Sequence, residues 1–245
     1  MYGEQGLSSL LAFTNPWEIV LLLAGFVLLR VAVAPVASSR RWRGYVLEFL
    51  DSGIIAVLLI FCIVRPFLLQ AFLIPSGSMH PTLLEGDRIF VNKAVYFFRE
   101  PRHGEIVVFH APVWADAQRR DFIKRVIGLP GDRISVHDGK VFRNGVPLDE
   151  PYVAEPPGYT WPAFDYVVLA PKGQPLRLVA NGEITVPKGH VLVLGDNRNE
   201  SNDAHIWHAE GADGLEYPCP FVPRENVIGK ALFTFWPPGR VGIVR

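Results

Sequence analysis

Two apolar runs near the start constrain this chain more than any other feature. The first, Trp17 to about Ala37, reads WEIVLLLAGFVLLRVAVAPVA. At about 1.5 Å of rise per residue, roughly 20 apolar residues make a helix as long as the hydrocarbon core of a bilayer is thick. Arg30 lies near one end of this run, where a long cationic side chain can reach the headgroups. The second run extends from Tyr45 to Val64, is driest over Gly53–Val64 and stops at Arg65-Pro66, which places a span at about 47–64. A cleavable export signal is the rival reading of the first run. Against it, Glu4 is the only charge before the run, so there is no basic leading region, and no small-residue cleavage site follows. Arg40, Arg41 and Arg43 sit between the runs, and no basic side chain precedes the first one. Short loops rich in Lys and Arg stay in the cytoplasm, so this loop is expected inside and everything after Arg65 outside. Residues 1–66 are therefore read as a membrane anchor of two transmembrane helices, about 17–37 and 47–64.

With 245 residues, 49% of them hydrophobic, the chain has room for one full-sized domain beyond the spans. A formal net charge of +0 gives no field that would favour nucleic acid. The two cysteines, Cys62 and Cys219, are too few for a disulfide framework or a thiolate metal cluster, and Cys62 lies inside an apolar run. From Phe67 onward the texture is β. Phe67–Ile74 is expected to be extended, and Arg88–Val91, Glu105–Phe109 and His190–Leu194 read as short apolar strands. Asp138-Gly139, Asn144-Gly145 and Asn181-Gly182 sit between alternating runs. Such pairs tolerate the positive φ angles of type I′ turns, whose twist matches a hairpin. No amphipathic helix is expected after residue 75. The fold class is mainly β: an antiparallel β domain over 67–245, with a less regular β lobe at about 133–190. Tyr159, Trp161, Phe164 and Tyr166 in that lobe are expected to form its own small core. The aromatic Phe233–Trp236 stretch reads equally as a closing strand or as a patch at the headgroups.

Three stretches carry candidate chemistry. Ile74-Pro75-Ser76-Gly77-Ser78-Met79-His80-Pro81-Thr82-Leu83 is a stiff, hydroxyl-bearing turn in which prolines fix φ and Gly77 permits close approach. By itself it fits a linker as well as a catalytic turn. In Asp121–Asp132, a strand would put Phe122, Lys124 and Val126 on one face. If that face is buried, the Lys124 ammonium is costly and the amine becomes a usable base near neutral pH; if it lies at an edge, Lys124 simply reaches solvent. Gly195–Trp207 is a polar tract after a strand, either a solvated loop or a frame for other groups.

Taken together, Ser78 within PSGSM-x-PTL, Gly86-Asp87, Lys124 within FIKRVIGLPGD, and Gly195-Asp196-Asn197-Arg198 with Ser201 and Asp203 resemble the bacterial type I signal (leader) peptidases. The resemblance covers the second apolar run and most of the later domain and is weak between about 145 and 185. It implies a membrane-bound serine endopeptidase with a Ser78/Lys124 dyad. The oxyanion hole would be the Ser78 N–H with the Ser76 hydroxyl, Ser201 would orient the lysine, and Asp196, Asn197, Arg198 and Asp203 would form the supporting loop. Ile74, Pro75, Met79, Leu83, Phe122 and Ile123 would line pockets for small side chains. The implied substrates are signal-peptide-bearing preproteins, cleaved after small-x-small motifs on the outer face of the bacterial cytoplasmic membrane. It implies no cofactor and no metal, and the partners expected are preproteins and the lipid bilayer.

Two departures stand out. His205 occupies the place where the family usually has an arginine, two residues after Asp203, and the Trp-Gly-x-Val-Pro pattern is opened after Trp207 by His208–Pro220. His205, His208 and Cys219 are irregularly spaced and lack a fourth ligand, so they make no metal set. A self-cleaving Ser/Lys regulator of the repressor type shares a β core but would need a DNA-binding helix pair. A membrane-anchored β domain that captures extended peptides without cutting them is the rival from another class.

Overall fold

The computed structural model describes residues 16–36, 40–60, 68–162, 168–169, 175–176, 179–210 and 216–245. The far ends of both expected spans (Ala37 and residues 61–64), Cys62, and Phe164 and Tyr166 of the lobe lie outside these residues. Helix α1 covers Pro16–Val36 and α2 covers Arg40–Leu59. They pack closely: a Cβ at Gly53 would lie 2.6 Å from the ring of Phe26, which would have to shift to admit it. Arg30 of α1 pairs with Asp51 of α2. Helix α2 begins earlier than the expected span and takes Arg40, Arg41 and Arg43 of the expected loop into its first turn, arginine being a good helix former. Among the described residues no helix is long and apolar enough to cross a membrane.

The rest is antiparallel β. In chain order the described strands are β1 Leu69–Leu73, β2 Arg88–Asn92, β3 Ile106–His110, β4 Asp121–Gly128, β5 Arg133–His137 and β6 Lys140–Arg143. Then come β7 Val146–Pro147, β8 Val168–Leu169, β9 Pro175–Leu176, β10 Val179–Ala180, β11 Glu183–Thr185 and β12 His190–Leu194. The last are β13 His208–Glu210, β14 Glu216–Pro218, β15 Phe221–Pro223, β16 Val227–Trp236 and β17 Gly242–Ile243. One short helical turn, α3 Val95–Phe98, interrupts them after β2, where no helix was expected.

The main sheet runs β1-β2-β16-β3-β4-β12-β15, with β17 beside β16. Register shifts along β16, between Val227 and Gly229, Ala231 and Phe233, and Thr234 and Trp236, curl this sheet, because each bulge adds local twist. Phe233–Trp236 is thus the far half of a closing strand, although Trp236 itself is exposed. Alternation along β3 sends Val107 and Phe109 into one apolar cluster and Ile106 and Val108 into another on the opposite face.

The lobe is a second sheet of order β10-β11-β5-β6-β7. Asp138-Gly139, Asn144-Gly145 and Asn181-Gly182 all adopt positive φ at both residues, as type I′ hairpins require. The expected separate lobe core is corrected. Trp161 is buried in the same large cluster as Ile134, Val136, Val126 and Leu192, and Tyr159 packs against it. A sheet of such short strands cannot bury a face alone, so it shares the core of the main sheet. In the segment that opens the Trp207 pattern, β13 pairs with β14 in a small separate hairpin.

Candidate active site

The serine turn hangs from the edge strand β1. Reciprocal bonds between Ile74 and the far end of the loop (Ile74 N–H to Asp87 O, 2.9 Å; Gly86 N–H to Ile74 O, 2.9 Å) close its base. Inside it, Gly77–Met79 forms a 3₁₀ turn, tied by His80 N–H to Gly77 O at 3.0 Å and Leu83 N–H to Met79 O at 3.0 Å. Met79, Leu83 and Ile74 fill the cluster beneath, so the turn is pinned by packing as well as by hydrogen bonds. Asp87, buried, accepts the Leu84 N–H at 2.9 Å and two bonds from Arg240 at 2.9 and 2.8 Å.

This pinning sets Ser78 against β4. Lys124 Nζ donates to Ser78 Oγ at 2.7 Å, and both residues are buried. Burial pulls the Lys124 amine down from 10.5 to about 8, and the negative charges of Asp203 and Asp196 hold it from falling further. The Phe122 ring lies 5.5 Å from the nitrogen on the same face of the strand. The amine therefore sheds its proton near physiological pH and can accept one from the hydroxyl it touches. Ser76 Oγ lies 3.5 Å from Ser78 Oγ, a long donor contact across the turn.

The tract after β12 braces this pair. Asn197 donates from its backbone to Ser78 O at 3.1 Å and from its amide to Gly77 O at 3.2 Å. Gly195 passes so close that a Cβ there would lie 2.4 Å from Ser78 O and 2.2 Å from Ser201 Oγ. Asp196, with no exposed surface, accepts from Arg125 at 2.8 and 2.6 Å and from the Thr82 hydroxyl at 2.5 Å. Arg198 donates to Glu150 at 2.6 and 2.8 Å and to Gly195 O at 3.1 Å. Asp203, also fully buried, accepts the Gly195 N–H at 2.7 Å on one oxygen and lies 2.7 Å from His205 Nδ1 on the other.

The structure thus brings Ser78, Lys124, Asp196, Asn197, Arg198 and Asp203 together. Ser201 Oγ is buried without a hydrogen-bond partner among the described residues, packed against Gly195 rather than bonded to the lysine. Of the six expected pocket residues, Ile74, Met79, Leu83 and Ile123 share one apolar cluster, while Pro75 is exposed and Phe122 packs against the other cluster. Sequence reasoning missed Arg125, Thr82, Glu150 and Arg240. Arg125 stands beside Lys124 and was within reach. Glu150 and Arg240 lie 48 and 153 positions from the partners they hold, and nothing local marks them. Among the described residues no group of three or more His, Cys, Asp or Glu is placed to hold a metal ion.

A buried lysine amine thus lies against a serine hydroxyl on a curled antiparallel sheet. The family model for signal peptidase, peptidase S26, matches residues 46–236, and the chain belongs to that family, which makes it a serine endopeptidase. It is similar to a probable signal peptidase I of Synechocystis sp., at 40% identity over 77% of this chain and 82% of the relative. A signal peptidase I of Leptolyngbya laminosa is 42% identical over 73% of this chain and 74% of its own length. A solved signal peptidase I from Enterococcus faecalis aligns with 54% of this chain and 97% of its own at 28% identity, with a TM-score of 0.34.

Proposed function

We propose that this endopeptidase removes signal peptides from exported preproteins, with Ser78 as nucleophile and Lys124 as general base. The observation that carries the reading is the 2.7 Å contact between a buried Lys124 Nζ and Ser78 Oγ. Ser78 Oγ attacks the scissile carbonyl carbon as its proton passes to the neutral Lys124 amine. The resulting oxyanion is held by the Ser78 N–H and the Ser76 hydroxyl. When the C–N bond breaks, Lys124 returns the proton to the departing amine, and a water activated by the same amine then hydrolyses the ester.

Substrate choice follows from the surroundings of the turn. Strand β1 is an edge of the main sheet and leads straight into Ser76–Ser78, so an extended peptide can pair with it and carry its scissile bond to the nucleophile. The cluster of Ile74, Met79, Leu83 and Ile123 packs beneath the serine turn, with Pro75 exposed beside it, and would offer the bound chain an apolar surface that suits small side chains at alternating positions. Such a chain is the small-x-small end of a signal peptide.

The protein acts as a multi-pass enzyme of the bacterial cytoplasmic membrane with residues 67–245 on the outer face. Two successive helices, the Leu- and Val-rich sequence of α1 and the arginines between the apolar runs support this topology. Protease added outside spheroplasts should then cut the β domain and spare the segment around Arg40–Arg43. The chemical assignment is tested by hydrolysis of an Ala-x-Ala peptide by full-length protein in detergent. Ser78→Ala and Lys124→Ala should each abolish turnover while the protein stays folded; retained turnover in either sinks the dyad.

A further inference from the structure

Between β7 and Trp161 the lobe runs as an irregular segment that lies against the polar tract after β12. Its far end is fixed by Trp161, whose N–H and C=O exchange bonds of 2.8 and 2.6 Å with Val136 of β5. Near its start, the two oxygens of Glu150 take the Arg198 guanidinium at 2.6 and 2.8 Å. The arginine side chain has no exposed surface, and that of Glu150 is 10% exposed. Further along, the Gly158 N–H donates to Asn199 Oδ1 at 2.7 Å, and Asn199 Nδ2 donates to Pro156 O at 3.2 Å. Tyr152 adds a third tie. Its hydroxyl donates to Glu150 Oε1 at 2.7 Å, and its ring centre lies 3.7 Å from the guanidinium carbon of Arg125, the neighbour of Lys124. The two buried arginines that brace the dyad, Arg125 and Arg198, are therefore both held from the lobe.

We infer, on the Ser78/Lys124 reading above, that Glu150 is a positioning residue for the nucleophile, which makes the lobe a working part of the catalytic frame. The path from its carboxylate to Ser78 is a run of direct contacts. Glu150 aims the Arg198 guanidinium, whose Nε donates to Gly195 O at 3.1 Å. Gly195 in turn presses on the main chain of the nucleophile, a Cβ there falling 2.4 Å from Ser78 O. Two residues on, the Asn197 N–H donates to that same oxygen at 3.1 Å. A bidentate pair of carboxylate and guanidinium fixes direction as well as distance, so Gly195–Asn197 and the serine turn they touch are held in one place. Only a carboxylate does this here: a glutamine offers one acceptor oxygen and leaves the buried guanidinium without its counter-charge. Small displacements matter at a nucleophile, where about 1 Å of misplacement costs about 10²-fold in rate.

The test is steady-state hydrolysis of an Ala-x-Ala peptide by full-length protein in detergent, with the melting temperature measured on each sample. Removing Glu150 alone would strand a buried charge, so both partners are replaced, Glu150→Gln together with Arg198→Met. Exchanging a buried ion pair for neutral groups of similar size often leaves stability intact. In this double variant kcat should fall about 10²-fold, with KM and the melting temperature in place, since neither residue is expected to line the substrate pocket. A kcat within about twofold of wild type overturns the assignment. The control is Val141→Ala, which truncates a fully buried side chain of β6 in the lobe; it should melt lower and keep its kcat. An equal loss of kcat in Val141→Ala would show that activity follows the stability of the lobe, and this too overturns the assignment. If the double variant does not fold, Glu150→Asp decides. It keeps the charge but withdraws the carboxylate by one methylene, and it should fold and lose about tenfold in kcat; an unchanged kcat overturns the assignment. Turnover that survives Lys124→Ala would instead remove the dyad on which Glu150 acts, so the two failures are told apart.

Discussion

Replacing Lys124 with methionine should abolish turnover and yet make the protein more stable at neutral pH. The amine is buried among Phe122, Val126 and the serine turn, and its ionisation lies at about 8 rather than 10.5. Lowering an amine by that much corresponds to about 3 kcal/mol of preference for the neutral form in the folded state. Between those two values the unfolded chain binds more protons than the folded one, so wild-type stability climbs with pH. This contribution is complete above pH 10.5 and lost as pH falls through about 8. Methionine fills the same space without a charge. It forfeits the hydrogen bond to Ser78, worth about 1 kcal/mol. At pH 7 the variant should therefore be about 2 kcal/mol more stable than wild type, and above pH 10.5 slightly less stable. The assay is denaturant unfolding of both full-length proteins in detergent from pH 6 to 11, taking the difference so that all other titrations cancel. The same ionisation predicts a rate about fivefold higher at pH 8 than at pH 7 for wild type. A stability difference that does not change with pH, or a variant weaker than wild type at pH 7, would show that the amine is not dehydrated and refute the reasoning.

Ser76→Ala should fold normally and lose about 10²–10³ in kcat, the scale of one oxyanion donor; an unchanged kcat removes its hydroxyl from the site. Gly195→Ala should be both inactive and destabilised by about 1–3 kcal/mol, because its methyl would sit 2.4 Å from Ser78 O and 2.2 Å from Ser201 Oγ. Full activity with an unshifted melting temperature would show that Gly195 does not press on the serine turn.

Local sequence determined a good deal of this protein. Asn-Gly and Asp-Gly pairs placed three hairpins, because only residues that tolerate positive φ close such turns. Alternation around Lys124 put its amine among apolar groups, and burial then decided its ionisation. The apolar runs at the start likewise marked both helices, although α2 begins near Arg40 because helix propensity extends it past the edge of the dry segment. Tertiary structure alone decided the pairing of distant charges. Arg125 takes Asp196 from 71 residues away, Glu150 takes Arg198 and Arg240 takes Asp87, since a buried carboxylate must find whichever cation the fold delivers. The fate of Trp161 was settled the same way: its small sheet cannot bury a face by itself, so the aromatic ring joined the core of the larger one. Composition and spacing fix what a short segment prefers, but which side chains meet across a hundred residues depends on the sheet order that carries them there.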